Sequence, residues 1–297
     1  MIKKDITKLS KEIENKLNVH YKDKTLCSQY AWWMLENITR KSQAFLIANK
    51  DFEFTEKQIE TLDNWIKKQI IDKEPLQYIL GTVPFDNIEI LVEAPILIPR
   101  PETEEICYFA INELNKLSNK KLNILDIGTG SGCIGLTLAN AFPESIVYAT
   151  DISSKALELA NKNAKHNKIN NIKFSESNVY SNLSENIKFD LIISNPPYIT
   201  QEEFNDLNES VSKWEDKQAL VAKKEGLAII EEIIKNAQKY LKHNDEIKSK
   251  KIPQLIIEIG YKQGPSVSKL FQDSNFVDIV VKKDLEGKDR FVIGRVN

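Results

Sequence analysis

No glycine precedes Gly81 and no proline precedes Pro75, although each residue occurs ten times in the 297-residue sequence. Helix interiors tolerate neither residue well, so an opening stretch that lacks both is expected to be helical. Four of the ten glycines crowd instead into Gly128, Gly130, Gly132 and Gly135. At roughly 150 residues per domain the chain has room for about two domains, each able to bury a core. A hydrophobic content of 41%, a charged content of 28% and a mean hydropathy of −0.37 exclude an intrinsically disordered chain and a membrane span.

The formal net charge is −2, and the first 80 residues hold 14 Lys/Arg against 12 Asp/Glu. Proteins whose main task is gripping a nucleic-acid backbone usually carry a clearer basic excess, so no nucleic-acid substrate is expected. Cys27, Cys107 and Cys133 are odd in number and lack metal-ligand spacing, and His20, His166 and His243 do not cluster. The start MIKKDITKLSKEIENKL lacks the apolar run of a signal peptide. These features describe a reduced, metal-free, cytoplasmic protein.

Helical periodicity governs the opening. Ile6, Leu9, Ile13 and Leu17 share one face, as do Ile59, Leu62, Ile66 and Ile70 after a capping-box pair, Thr55 and Gln58. Tyr30, Trp32, Trp33, Met34 and Leu35 between them read as core packing, with a partner-binding surface as the other possibility. A bundle of four or five helices is expected to end near Asp72. From Glu74 the texture changes: β-rich pieces at Val83–Phe85 and Ile88–Val92 flank Asp86-Asn87, a hairpin signal. Short apolar runs then alternate with helical stretches. Strands are expected at 122–125, 146–149, 172–174, 189–193 and 255–259, with helices at 133–141, 155–167 and 226–241. That alternation implies a parallel, doubly wound α/β sheet. Two closing strands, at 276–282 and 290–295 around Gly287, form an antiparallel hairpin, an ending expected of the Rossmann-like methyltransferase fold and not of dinucleotide dehydrogenases. Residues 242–251 read as a solvated, charged loop. The domain boundaries expected are 1–75 for the helical domain, 76–95 for a β-hairpin linker and 96–297 for the α/β domain.

Three motifs carry chemistry. DIGTGSG, Asp126 to Gly132, comes directly after the first strand of that domain, where glycines let backbone turn sharply and approach a ligand closely. A nicotinamide-binding turn looks similar, and glycines can also serve structure alone. The spacing Asp-x-Gly-x-Gly-x-Gly and the acidic residue before the turn favour S-adenosylmethionine, whose cationic methionine moiety gains from a nearby carboxylate. The candidate cofactor residues here are Gly128, Thr129, Gly130, Ser131 and Gly132. Asp151, ending the next strand, is placed to accept both ribose hydroxyls, or else to cap the following helix. The third motif is Asn195-Pro196-Pro197-Tyr198, after the strand FDLIIS. Paired prolines can simply end a strand. Yet an Asn beside two rigid residues and an aromatic ring is a poor way merely to turn, and the tetrapeptide resembles that of amino-methyltransferases that modify planar nitrogens, whose chemistry implies the roles that follow. Asn195 Oδ1 and the Pro196 carbonyl can each accept one N–H of the acceptor, Pro197 stiffens the turn and Tyr198 can stack on the planar group. In-line displacement then depends on positioning and electrostatics, with no general base required.

This tetrapeptide resembles that of the amino-methyltransferases acting on base amines or glutamine amides. Ile98 to Glu105 (IPRPETEE), Lys283 to Arg290 (KDLEGKDR), Tyr78 to Gly81 and Glu258 to Tyr261 extend the likeness. Together with DIGTGSG and SNPPYI they resemble the peptide chain release factor glutamine N5-methyltransferases over residues 75–297. The resemblance implies S-adenosylmethionine as cofactor and, as substrate, the glutamine in the Gly-Gly-Gln loop of bacterial class I release factors. It also implies that Pro101, Glu102 and Thr103 border the cofactor pocket and that the helical domain docks the release factor; separately, a monomer is expected. PRPETE reads equally as a proline-braced helix start with Glu answering the helix dipole. Three positions depart from the family pattern. Asn178, followed by Val179, replaces an acidic residue at the adenine end of the pocket and retains a hydrogen-bond acceptor. Trp214-Glu215-Asp216 replaces a Glu-Pro pair, and His243–Pro253 lengthens a short turn. Arg100 and Arg290 read as ion-pair partners. A nucleic-acid adenine N6-methyltransferase sharing the tetrapeptide is the alternative, and a cofactor-binding protein without activity a third possibility.

Overall fold

The computed structural model describes residues 1–297, which divide into two compact units. The first comprises Met1–Gly81 and the later segment Glu209–Trp214; the second comprises Thr82–Asn208 and Glu215–Asn297.

The first unit runs β1 (Ile2–Asp5), α1 (Ile6–Tyr21), α2 (Lys24–Thr39), α3 (Gln43–Ala48), β2 (Asp51–Phe54) and α4 (Glu56–Lys67). A π-helical turn, Lys68–Asp72, and α5 (Leu76–Leu80) come next. Ile6, Leu9, Ile13 and Leu17 are all buried, in one cluster with Met34, Leu35, Leu46, Leu62 and Ile66; Tyr30, Trp32 and Trp33 pack against it half-buried. Thr55 and Gln58 form the capping box reciprocally. The unit is helical as its sequence suggests, with one addition: β1 and β2 pair as an antiparallel ribbon, Ile2 opposite Phe54. Leu76–Leu80, assigned to the linker on sequence, is a helix of this unit, and Gly81 ends it at φ 82°.

The second unit opens with a hairpin, β3 (Thr82–Phe85) and β4 (Ile88–Leu91), then α6 (Pro101–Leu114), β5 (Asn123–Ile127), α7 (Cys133–Ala141), β6 (Ile146–Asp151), α8 (Ser154–His166), β7 (Ile172–Glu176) and β8 (Leu191–Ser194). Short helices α9 (Gln201–Asn205), α10 (Glu209–Ser212, part of the first unit) and α11 (Lys217–Leu220) precede α12 (Ala228–Ala237). The chain ends with α13 (Asp245–Lys250), β9 (Leu255–Glu258), α14 (Gly264–Asp273), β10 (Val277–Lys283) and β11 (Asp289–Arg295). Seven strands form one sheet in the order β10-β11-β9-β8-β5-β6-β7. From β9 to β7 all pairs are parallel, whereas β11 runs antiparallel to both β9 and β10. All four residues of β8 and all four of β9 are buried, as expected for strands covered on both faces. Ile230, Ile233 and Ile234 of α12 and Phe271 of α14 cover Leu125, Ile127, Ile192 and Ile257 on one face. The opposite face carries Asp126, bonded to the start of α7, and Glu258, bonded to α6.

The charged segment 242–251 corrects the expectation of a solvated loop. Asn244 caps α13 through Glu246 N and Ile247 N, and Ile247 is buried. One apolar residue in a run of charges suffices to anchor a single helical turn. No helix is long and apolar enough to cross a membrane.

Candidate active site

Sheet order sets the location. From β5 the chain proceeds outward through β6 and β7, then returns to the other side of β5 as β8 and β9. Such a reversal opens a crevice at the carboxyl ends of the two adjacent strands, here β5 and β8. The register of the ladder lines up the carboxyl ends of these strands: Ile127 pairs with Ser194 on one side and with Thr150 on the other. Gly128, Asp151 and Asn195 are therefore each the next residue along three neighbouring strands, about 4.8 Å apart.

The glycine turn is held from below. Gly128 N and Thr129 N both donate to Thr150 O, and Gly130 N donates to Asp151 Oδ2 at 2.9 Å. Gly128, Gly130 and Gly132 adopt φ of 71°, 57° and 88°, the left-handed region where a side chain is strained. Above Gly128 and Gly130 a Cβ would meet nothing within 4 Å, so the outer face of the turn is open to a ligand. Thr129 and Ser131 turn their side chains inward and are buried, which leaves their backbone for the rim. The Asp126 carboxylate is fully buried, and Oδ2 accepts from Thr129 Oγ1 at 2.6 Å and Gly135 N at 3.0 Å, which braces the turn, while Oδ1 has no partner in the protein. Burial pushes its pKa up to about 7, against those two hydrogen bonds.

Asp151 also accepts from Ser153 N at 2.9 Å, and burial raises its pKa against the backbone donors. The cap of α8 is Ser153, not Asp151. Each Asp151 oxygen keeps a lone pair for a further donor. At the end of β7, Asn178 is exposed while Val179 is buried in the core at φ 51°, a strained conformation for a β-branched residue. The Val179 side chain thus belongs to the core.

The tetrapeptide comes directly after β8. Asn195 Nδ2 donates to Thr103 Oγ1 at 3.2 Å, Thr103 Oγ1 donates to Glu258 Oε2 at 2.8 Å, and Tyr198 OH donates to Glu258 Oε1 at 3.3 Å. Thr103 lies in the first turn of α6, whose N1 residue is Pro101 and whose first turn carries Glu102 and Glu104, so the segment is indeed a proline-braced helix start. It also reaches the site through Thr103. Arg100 Nη2 donates to both oxygens of Glu215 at 2.7 Å, and Arg290 donates to Asp284 Oδ2 from Nη2 at 2.8 Å and Nε at 3.1 Å, which makes both arginines the ion-pair partners expected. Gln263 backs the motif: its Nε2 donates to Tyr198 O and Glu225 O, and its Oε1 accepts from Gly260 N. Sequence reasoning assigned no role to Glu258 or Gln263. The EIGY likeness at 258–261 was the available signal for the first.

The residues fit S-adenosylmethionine: an open glycine turn, a carboxylate beside it and an acceptor-bearing Asn178 form a cradle without steric obstruction at Gly128 or Gly130. Comparison with known proteins agrees. The family description "PrmC N-terminal domain" matches residues 11–81, and "Methyltransferase small domain" matches residues 109–212. A release factor glutamine methyltransferase of Lactococcus lactis is 38% identical over 266 residues, covering 89% of this chain and 92% of that protein. Another, of Flavobacterium psychrophilum, is 35% identical over 272 residues, covering 91% and 92%. A methyltransferase structure from Pyrococcus furiosus superposes with a TM-score of 0.50 at 15% identity, over 82% of this chain and 100% of that one, a likeness of fold.

Proposed function

Because the chain belongs to the release factor glutamine methyltransferase family, we propose that it methylates N5 of the glutamine in the Gly-Gly-Gln loop of bacterial class I release factors. The observation that carries this reading is the orientation of Asn195: its NH2 is spent on Thr103, which leaves Oδ1 to accept an N–H from a substrate amide. S-adenosylmethionine, when bound, supplies an electrophilic methyl carbon. Gly128, Thr129, Gly130, Ser131, Gly132 and Asp151 hold it, with Asn178 and Val179 at the adenine end and Pro101, Glu102 and Thr103 along the border.

An amide nitrogen is a poor nucleophile because its lone pair is delocalised into the carbonyl. Asn195 Oδ1 and the Pro196 carbonyl each accept one N–H, which holds the NH2 and stabilises positive charge as it develops there. Tyr198 stacks on the planar group. With the nitrogen held in line, positioning supplies most of the acceleration, and the proton leaves to solvent afterwards. The helical unit docks the release factor, and the protein works as a monomer in the cytoplasm.

The test is to incubate the protein with S-adenosylmethionine and a class I release factor, alongside its loop Gln→Ala variant, and to weigh the loop peptide. A gain of one methylene on the wild-type loop, absent from the Gln→Ala variant and from Asn195→Ala enzyme, is expected. An unmodified wild-type loop overturns the reading.

A further inference from the structure

The hydrogen bonds that end at Glu258 run in one direction. Glu258 closes β9 and is 1% exposed. An ionised carboxylate accepts and cannot donate. Thr103 has a single hydroxyl proton, and it goes to Glu258 Oε2 at 2.8 Å. The Thr103 oxygen can then only accept from Asn195, and the amide end able to donate is Nδ2, at 3.2 Å. A chain that starts at a carboxylate therefore fixes which end of the Asn195 amide turns away from Thr103.

We propose that Glu258 is a positioning residue for methyl transfer: through Thr103 it holds Asn195 with Oδ1 toward the acceptor nitrogen. This rests on the function proposed above. Rotated by half a turn, Asn195 would present an NH2 to the NH2 of the substrate, donor against donor, and the acceptor would lose the hydrogen bond that aims it. The same carboxylate receives the Tyr198 hydroxyl at 3.3 Å, so one buried group orients both polar members of the tetrapeptide. Both anchors are rigid. Thr103 lies one turn from Arg100, itself held by Glu215, and Glu258 pairs with Phe291 of β11.

The direction depends on charge. Burial pushes the Glu258 carboxyl up to about 7, Glu102 adds to the rise, and the Thr103 and Tyr198 hydroxyls and Arg290 oppose it. The thiols of Cys107 and Cys133 also face it, both raised by burial and therefore neutral. Protonated Glu258 can donate to Thr103, which frees the Thr103 proton for Asn195 Oδ1 and lets the amide reverse.

Thr103→Val keeps the side-chain shape and removes the relay, whereas Thr103→Ser keeps the hydroxyl. In steady-state assays with the full-length protein and a release factor, Thr103→Val should lower kcat roughly 100-fold with KM for the release factor unchanged, and Thr103→Ser should restore kcat. In 15N-labelled protein without substrate, the Asn195 side-chain NH2 signals should shift with pH around a midpoint of about 7 in wild type and lose that titration in Glu258→Gln. Wild-type turnover by Thr103→Val, equal impairment of the Val and Ser variants, or Asn195 signals indifferent to pH would each overturn the inference. A wild-type enzyme that leaves release factors unmethylated would instead overturn the functional reading, and the spectra would still decide this one.

Discussion

Asp126 and Glu258 each bury a carboxyl group beside the crevice, and each is pushed up to about 7. The consequence for stability is opposite in sign to that of an exposed salt bridge. A folded-state pKa above the unfolded one means that folding favours the protonated form. That contribution is complete below the unfolded values near 4 and is lost as the pH rises through about 7. Resistance to urea should therefore fall between about pH 4 and pH 7, by up to about 1.4 kcal/mol per pH unit for each group. Asp126→Asn keeps an acceptor for Thr129 and Gly135 N and removes the charge, so it should flatten the slope and gain stability at the alkaline end. Equal pH slopes for Asp126→Asn and wild type would refute this assignment. At this scale the sequence was legible wherever chemistry dictates a residue type. The open glycines and the tetrapeptide are such places, and Asn195 follows β8 directly, with its NH2 on Thr103. Asp126 also braces the turn through Oδ2, a use that an acidic residue beside a glycine turn does not reveal until Thr129 and Gly135 N are placed against it. Glu258 stayed hidden because a strand-ending carboxylate acquires meaning only when Thr103 and Asn195, distant in the chain, meet it.

At the scale of elements, the loops behind the tetrapeptide are riveted by the side chain of Gln263, the N-cap residue of α14. The fit leaves no slack at Gly226, where φ is 81° and a Cβ would lie 2.0 Å from Tyr198 O. Gly287, in the turn of the terminal hairpin, has the same φ and an empty surround. Replacing Gly287 by Ala should cost about 1 kcal/mol for backbone alone. Gly226→Ala bears that cost and must also displace the Tyr198 carbonyl, so it should lose most methyl transfer. Comparable activities and melting temperatures for the two variants would show that the close approach is unimportant. Periodic segments were the legible elements, since a continuous apolar stripe survives in any tertiary context. The β1–β2 ribbon and α13 were not, because four alternating residues or one buried Ile247 give too little pattern until a partner surface supplies the energy.

For the whole molecule, the change of helical into alternating texture near residue 75 was readable from glycine and proline placement, and the closing hairpin marked the sheet type. The return of Glu209–Trp214 to the first unit left no such trace, because association between segments far apart in sequence has no local signature. Trp214 Nε1 donates to Asp72 O at 3.1 Å within that unit, and the next residue, Glu215, holds Arg100 in the second. The helical unit is consequently not a contiguous cassette. Six of its residues lie downstream of the tetrapeptide, so grafting residues 1–81 from a relative would pair a foreign surface with a native strip. Such a chimera should melt earlier than one that exchanges 209–214 as well, as differential scanning calorimetry would show. Equal melting would mean that the strip is passive. A lineage that changed the opening helices would have to amend a second, remote passage in step, so adaptation of the proposed docking face is tied to the very loop that leaves the proposed catalytic motif.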